Sequence, residues 1–417
     1  MTNNSSNTVA QTLSQAPHRT ETSKDRPPYI SQKEIFFFFF KLLQNQNNSD
    51  KPARIYNRGI FADKIQLAAN IGQAWTGKEI AVICYRLAIY SKTLPPFDRV
   101  DLQTLIGNVS GFHEMIKTNC GKLNGQEAAK VLWAYGTFGI VLPVTTIDTL
   151  NKAVCHNDDM LSAQDTVEIL WAYATLGVIP PKNTLDTLRK AVDYHAKTFC
   201  LPDTISTLVT YATLSAHQNN PDFMRSDFLT LIKDSALDTK GASLIRRQQK
   251  QVYDACQYFS YPSPVACPKE DNNPSRVEFT VAEAFKKAGY RLDMSGRHIS
   301  SMGHDVDIAV LDKGHQIFIE CDGPTHFLTS LANNNRKYNG NTVLQTRLIQ
   351  QQAPHIQLIR VANVSMRYIE TVPTVVKHHF DAVNHNRRAG EPLVVSLDTV
   401  QKQLGVDPFN HFMLHCA

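Results

Sequence analysis

The chain has 417 residues, 42% of them hydrophobic and 19% charged, a length that predicts two or three domains and a composition that excludes wholesale disorder. With 43 basic against 38 acidic side chains, the net charge of +5 excludes a polybasic, histone-like protein but permits local basic faces that meet phosphate. The eight cysteines contain no C-x-x-C pair, which predicts free thiols in a reducing compartment.

In chain order, residues 1–54 read as a disordered N-terminal segment, polar over residues 1–28, with the short apolar run Ile35–Phe40 bracketed by Lys33, Glu34 and Lys41. No stretch of 18 apolar residues predicts a membrane span, and the first 30 residues hold no signal-peptide core. Residues 55–258 read as helical, with apolar side chains recurring at three and four. Residues 259–275 read as a linker, because Pro262, Pro264 and Pro268 precede the polar run Lys269–Asn273. Residues 276–372 change pattern and predict an α/β domain. An amphipathic helix over 276–289 leads to two alternating stretches, 305–311 and 316–322, around a tight turn at Asp312-Lys313-Gly314. A polar helix over 341–352 and a strand from Ile356 to Val361 follow, and residues 373–417 are expected to form a helical tail.

The helical region repeats at a lag of 38. Sixteen of 32 positions are identical between 123–154 and 161–192, including Leu132/Leu170, Trp133/Trp171, Tyr135/Tyr173 and Gly139/Gly177. A third copy aligns Asp203, Leu208 and Tyr211 with Asp165, Leu170 and Tyr173, and a degenerate fourth spans Leu87 to Pro95. In each unit a helix ends at a glycine suited to a left-handed cap, and a proline opens the next segment. One helical hairpin cannot bury its own apolar stripe, so neighbours are expected to stack into an α-solenoid. Trp133 and Trp171 read as core between repeats.

The hairpin in the second domain concentrates acid. A turn centred on Lys313 sets Asp307 nearly opposite Glu320, with Asp305 sharing a face with Asp307 and Asp322 sharing a face with Glu320. Carboxylates that close raise one another's pKa unless a cation, a proton or an arginine compensates. A divalent metal held by Asp and Glu oxygens is one compensation, and an internal ion pair with Arg347 is another. Two basic segments are candidates for phosphate contact. One is Arg246-Arg247 on a helix, and the other is Arg336-Lys337-Tyr338, which adds an aromatic ring for stacking.

The 38-residue units, with their Leu-Trp-Ala-Tyr core, Gly and Pro, resemble the octotricopeptide family and the helical part of FAST-kinase-like proteins. Both are associated with RNA. The block Asp307-Ile308-Ala309, Ile319–Phe327, Asn341, Leu344, Arg347, Leu348 and Ile356–Val361 resembles the RAP domain. That resemblance implies a restriction-endonuclease-like fold, close to its very-short-patch-repair branch. It also implies Asp307 and Glu320 at the two metal-holding positions of such nucleases. The lysine those nucleases carry two residues after the Glu is Asp322 here, with His326 and Arg347 as the residues able to assist instead.

Three functions follow as expectations. The first is a non-catalytic RNA-binding protein for processing, maturation or stability of rRNA or specific transcripts, associated with a ribosome or ribonucleoprotein. The second is an Mg²⁺-dependent endoribonuclease using Asp307, Glu320, Asp322, His326 and Arg347. The third is a protein-interaction scaffold that touches no nucleic acid. Bacterial cytoplasm is the expected compartment, with delivery into a host cell or import into a mitochondrion or other organelle as alternatives.

Overall fold

The computed structural model describes residues 31–41, 57–71, 74–156, 161–235, 237, 244–267, 275–293, 298–299, 304–312, 315–330, 336–354, 356–362, 366–383 and 393–396. Residues 1–30 and 397–417, parts of the expected disordered head and helical tail, lie outside the described residues, as do the Lys313-Gly314 turn and the Lys269–Asn273 run.

The N-terminal part is helical: α1 (Gln32–Lys41), α2 (Arg58–Ile71), α3 (Gly77–Thr93), α4 (Pro96–Asn108), α5 (Ser110–Asn119), α6 (Gly125–Phe138), α7 (Val144–Cys155), α8 (Ala163–Leu176), α9 (Lys182–His195), α10 (Leu201–His217), α11 (Arg225–Asp234) and α12 (Arg246–Tyr258). The 38-residue repeat is visible as α6–α7, α8–α9 and α10–α11. Helices α3, α6, α8, α10 and α12 pack side by side in one layer, and α7, α9 and α11 pack behind them.

Local chemistry sets these boundaries. Asn124 caps α6 by accepting from the Glu127 amide, and the Glu127 carboxylate returns to the Asn124 amide, so two orphan donors are met reciprocally. Ser162 caps α8 in the same position. Both helices end on glycines in the left-handed region, Gly139 at φ 66° and Gly177 at φ 62°. Pro143 and Pro181 then lead into α7 and α9. Leu132, Leu170, Tyr135 and Tyr173 are fully buried, and Tyr173 donates to Asn151 of the preceding hairpin.

The C-terminal part is α/β. Its order is α13 (Arg276–Lys287), β2 (Arg291–Leu292), β3 (His298–Ile299), β4 (His304–Asp305), β5 (Ile308–Asp312), β6 (His315–Asp322), β7 (Phe327–Ser330), β8 (Arg336–Tyr338), α14 (Gly340–Gln352), β9 (Gln357–Ala362), α15 (Val372–Val383) and β10 (Leu393–Ser396), after β1 (Ile140–Val141) in the helical part. One sheet runs β10-β9-β6-β5-β2, parallel across β10, β9 and β6 and antiparallel from β6 to β2. Ile308, Val310, Ile317, Ile319, Ile359 and Val361 point from one face into a core closed by α13 and α15. Ala309, Phe318 and Leu358 point from the other face toward α14, with Leu344, Leu348 and Ile349.

Three expectations differ from this arrangement. Gln32–Lys41, assigned above to the disordered head, is a helix whose Ile35 and Phe39 are buried against α3; a run of five phenylalanines places apolar rings on every face, so one face finds a core. The expected helical tail contains β10, where the β-branched pair Val394-Val395 pairs parallel with the open edge of β9. The linker does not separate two independent bodies. Helix α14 lies between the sheet and helices α8, α10 and α12, and the short strand β1 pairs parallel with β7, the Thr329 amide donating to the Gly139 carbonyl at 2.7 Å.

Candidate functional site

The acidic hairpin has the register its turn predicts. Ile308 pairs with Ile319, and Glu320 belongs to the sheet face that meets α14, while Asp307 lies one residue before β5, outside the paired register. The carboxylates there already have work. Asp307 Oδ2 accepts the Cys321 amide at 2.7 Å, and Glu320 Oε2 accepts from Gln345 Nε2 at 3.1 Å. Asp322 accepts two bonds from Arg360, from Nε at 2.8 Å and from Nη2 at 2.6 Å. Arg360 is 0% exposed, and its Nη1 donates to Thr346. Burial works against the guanidinium charge, but bonding to Asp322 and the charges of Asp322 and Glu320 outweigh it, so its pKa rises.

Around this pair, the Tyr338 ring lies 5.4 Å from the Arg360 guanidinium, and His326 Nδ1 is 3.2 Å from Asp322 Oδ1 and 3.1 Å from Thr342 Oγ1. Burial lowers the His326 pKa, Asp322 raises it, and Arg360 lowers it again. The net depression leaves the ring neutral at pH 7. Burial, and then Asp307 and Glu320, push the Cys321 thiol well up.

A divalent cation does not fit this donor set. Among the described residues no group of three His, Cys, Asp or Glu side chains converges as metal ligands, and the buried Arg360 already supplies the positive charge. Arg347, expected to compensate the acids, lies on the opposite side of α14. It bonds Gln350 and acts electrostatically on His217 and Tyr258 of the helical part. Arg360 fills the role instead. Its signal in the sequence was a lone charge inside the apolar run Leu358–Ala362, which cannot be buried without a partner.

A cleft runs along the seam between the helical layer and the α/β part. One cavity, of about 420 Å³, is bounded by Lys92, Arg99 and Arg247 on the helical side and by His326, Asn339 and Asn341 on the other. A second, of about 400 Å³, continues from it past Trp133, Trp171, Glu168, Gln248 and Gln251. Trp133 and Trp171 are half-buried: they pack against the helical core and each other and also wall this cleft, while the tyrosines two residues on, Tyr135 and Tyr173, are fully buried. The rings form a row, Tyr85 to Trp133 at 5.0 Å and Trp133 to Trp171 at 6.4 Å, and Lys92 Nζ sits 4.9 Å over the Trp133 ring. The lag of 38 explains the row, since one helix face repeats Lys130-Trp133-Thr137 as Glu168-Trp171-Thr175 and Ser206-Val209-Thr213.

The remaining candidates divide. Arg247 lines both cavities, whereas the exposed Arg246 is among the lining residues of neither. Lys337 is exposed and lines a separate cavity with Val141, Ile147 and Ile179. Arg336 pairs through its backbone with Thr329, and Tyr338 turns inward onto Arg360 and Phe327. Sequence reasoning passed over Lys92, Arg99 and Asn341 as cleft residues, because the cleft exists only once α14 docks.

Compared with known protein families, the chain matches none, and no curated protein matches it significantly. No helix among the described residues is long and apolar enough to cross a membrane.

Proposed function

We propose that this is an RNA-binding protein: an α-solenoid of octotricopeptide-like hairpins whose inner face, together with a RAP-type α/β domain, grips single-stranded RNA. The observation that carries this reading is the seam cleft, where half-exposed tryptophans alternate with cations. Bases of any identity stack on aromatic faces, and phosphates seek the cations between them. Amides at Gln248, Gln251 and Asn341 add donors and acceptors that base edges use.

The RAP-type domain acts in this reading as a non-catalytic half of the grip, on a restriction-endonuclease-like scaffold. Its acids are committed to Arg360, Gln345 and the Cys321 amide, so the carboxylates serve the fold rather than a metal-bound water. Processing or stabilisation of an rRNA or transcript, within a ribosome or ribonucleoprotein and in a bacterial or organellar compartment, is the setting we propose.

The test is binding of labelled single-stranded RNA by purified protein, across a salt series and with Mg²⁺ or EDTA. Affinity that falls steeply with salt, is indifferent to EDTA and is unaccompanied by cleavage supports the reading. Cleavage abolished by EDTA and by Glu320→Ala restores the nuclease, and no binding at low salt leaves the scaffold.

A further inference from the structure

The seam cavity has an unusual charge balance. Lys92 and Arg99 of the helical part and Arg247 of α12 all line it, and among the described residues lining it there is no carboxylate. Glu168 stands one step along, in the neighbouring cavity. The three cations are close enough to feel one another. The Lys92 ammonium pKa is pushed down by burial, then by Arg247 and Arg99, with Glu168 opposing. Such a cluster is held in place against repulsion. Arg99 is pinned by donating from Nε and Nη2 to the carbonyls of Ser91, Lys92 and Leu94 at the end of α3. Lys92 is held over Trp133. A cavity built this way fits an anion.

The form of the anion follows from charge. Three lining cations against one nearby carboxylate leave a net of +2 (3 − 1). A backbone phosphodiester carries one negative charge, while a terminal phosphate monoester carries about −1.5 to −2 at pH 7. Gly139 and Phe327 line the cavity beside the β1–β7 pairing. Trp171 lines both cavities and is placed to stack the last base, with Asn341 beside it.

We propose that the seam cavity binds the terminal phosphate monoester of an RNA strand, so that the protein recognises an end rather than an internal tract. This deepens the RNA reading and rests on it. The site needs both parts of the chain, since neither wall alone encloses it.

The experiment uses the full chain and one short single-stranded RNA of mixed sequence in three forms: 5′-monophosphate, 3′-monophosphate, and hydroxyls at both ends. Affinity is read by fluorescence anisotropy. One of the two phosphorylated forms is expected to bind about tenfold tighter than the hydroxyl form, and which one identifies the end. Arg247→Gln, at an exposed position where folding is not at stake, is expected to compress that ratio below about threefold. Trp171→Ala is expected to weaken all three forms alike and leave the ratio standing. Equal, tight binding of all three RNAs overturns end recognition while the RNA reading stands. No binding of any form at low salt overturns both.

Discussion

Arg360 and Asp322 form a two-point ion pair across β9 and β6, at positions 0% and 1% exposed at the side chain. Both charges are out of water, so each is tolerable only while the other is present. Arg360→Met is expected to strand the Asp322 carboxylate and cost about 3–5 kcal/mol of unfolding free energy. Arg360→Met combined with Asp322→Leu should recover much of that loss, because the ion pair is then removed as a unit and the Glu320 carboxylate keeps its bond from Gln345. Chemical denaturation of the two variants checks the point. If the single and double variants lose equal stability, the pair is not the partner that compensates Asp322.

The tryptophans and tyrosines of two successive repeats are expected to separate binding from folding. Trp133 and Trp171 wall the cleft, while Tyr135 and Tyr173 are fully buried two residues away. Trp133→Ala and Trp171→Ala are each expected to lose about 1–3 kcal/mol of single-stranded RNA affinity with a much smaller fall in stability. Tyr173→Ala should do the reverse, costing about 3–5 kcal/mol of stability, because it opens a cavity and leaves Asn151 without its hydroxyl donor. Anisotropy and thermal melts on the same preparations read both quantities.

Much of this was legible before any coordinates. The lag of 38 marked the hairpins, Gly139 and Gly177 marked their ends, and the turn expected at Lys313 matches the pairing of Asp312 with His315. What periodicity could not tell is which of two apolar faces meets a core. The helix carrying Trp133 also carries Leu132 and Tyr135, and only the packing of α3 and α8 against it decides that the indole faces the cleft. Helix α14 hid for the opposite reason. It is covered by the sheet on one side and by α8, α10 and α12 on the other, so its polar residues do not gather on one face. Arg347 was therefore expected beside the acids, and it faces the helical part.

Acid should loosen the protein through three histidines. Burial is the leading cause that lowers the pKa of His113, His217 and His326 below the ordinary 6.5. The unfolded chain therefore takes up these protons at a higher pH than the folded one, and stability rises with pH over that interval. Above about pH 6.5 the penalty is absent. It grows as pH falls below that value and levels off once the folded-state values are passed. Each histidine in that window contributes a slope of at most about 1.4 kcal/mol per pH unit. Unfolding curves between pH 7.5 and about 5 are expected to show the decline, and His326→Gln should make it shallower. An unchanged slope in that variant removes His326 from the set.

Docking of the two parts hinges on a contact without a side chain. Gly340, the first residue of α14, sits so close to α8 that an added Cβ would collide with the Ala174 carbonyl oxygen and lie 2.6 Å from Thr213 Cγ2. The nearest obstacle is helix backbone, which cannot swing aside as a long side chain can, so the start of α14 must retreat. Gly340→Ala is expected to cost about 1–3 kcal/mol and to act on the seam before it acts on either core. Proteolysis within 259–275 should quicken, and any preference for RNA with a terminal phosphate should fade, because Asn341 and His326 move away from Lys92, Arg99 and Arg247. Gly121→Ala is the control, since nothing lies within 4 Å of a Cβ there. If Gly340→Ala behaves like that control in melting, proteolysis and RNA binding, the close approach of α14 is not what holds the cleft together.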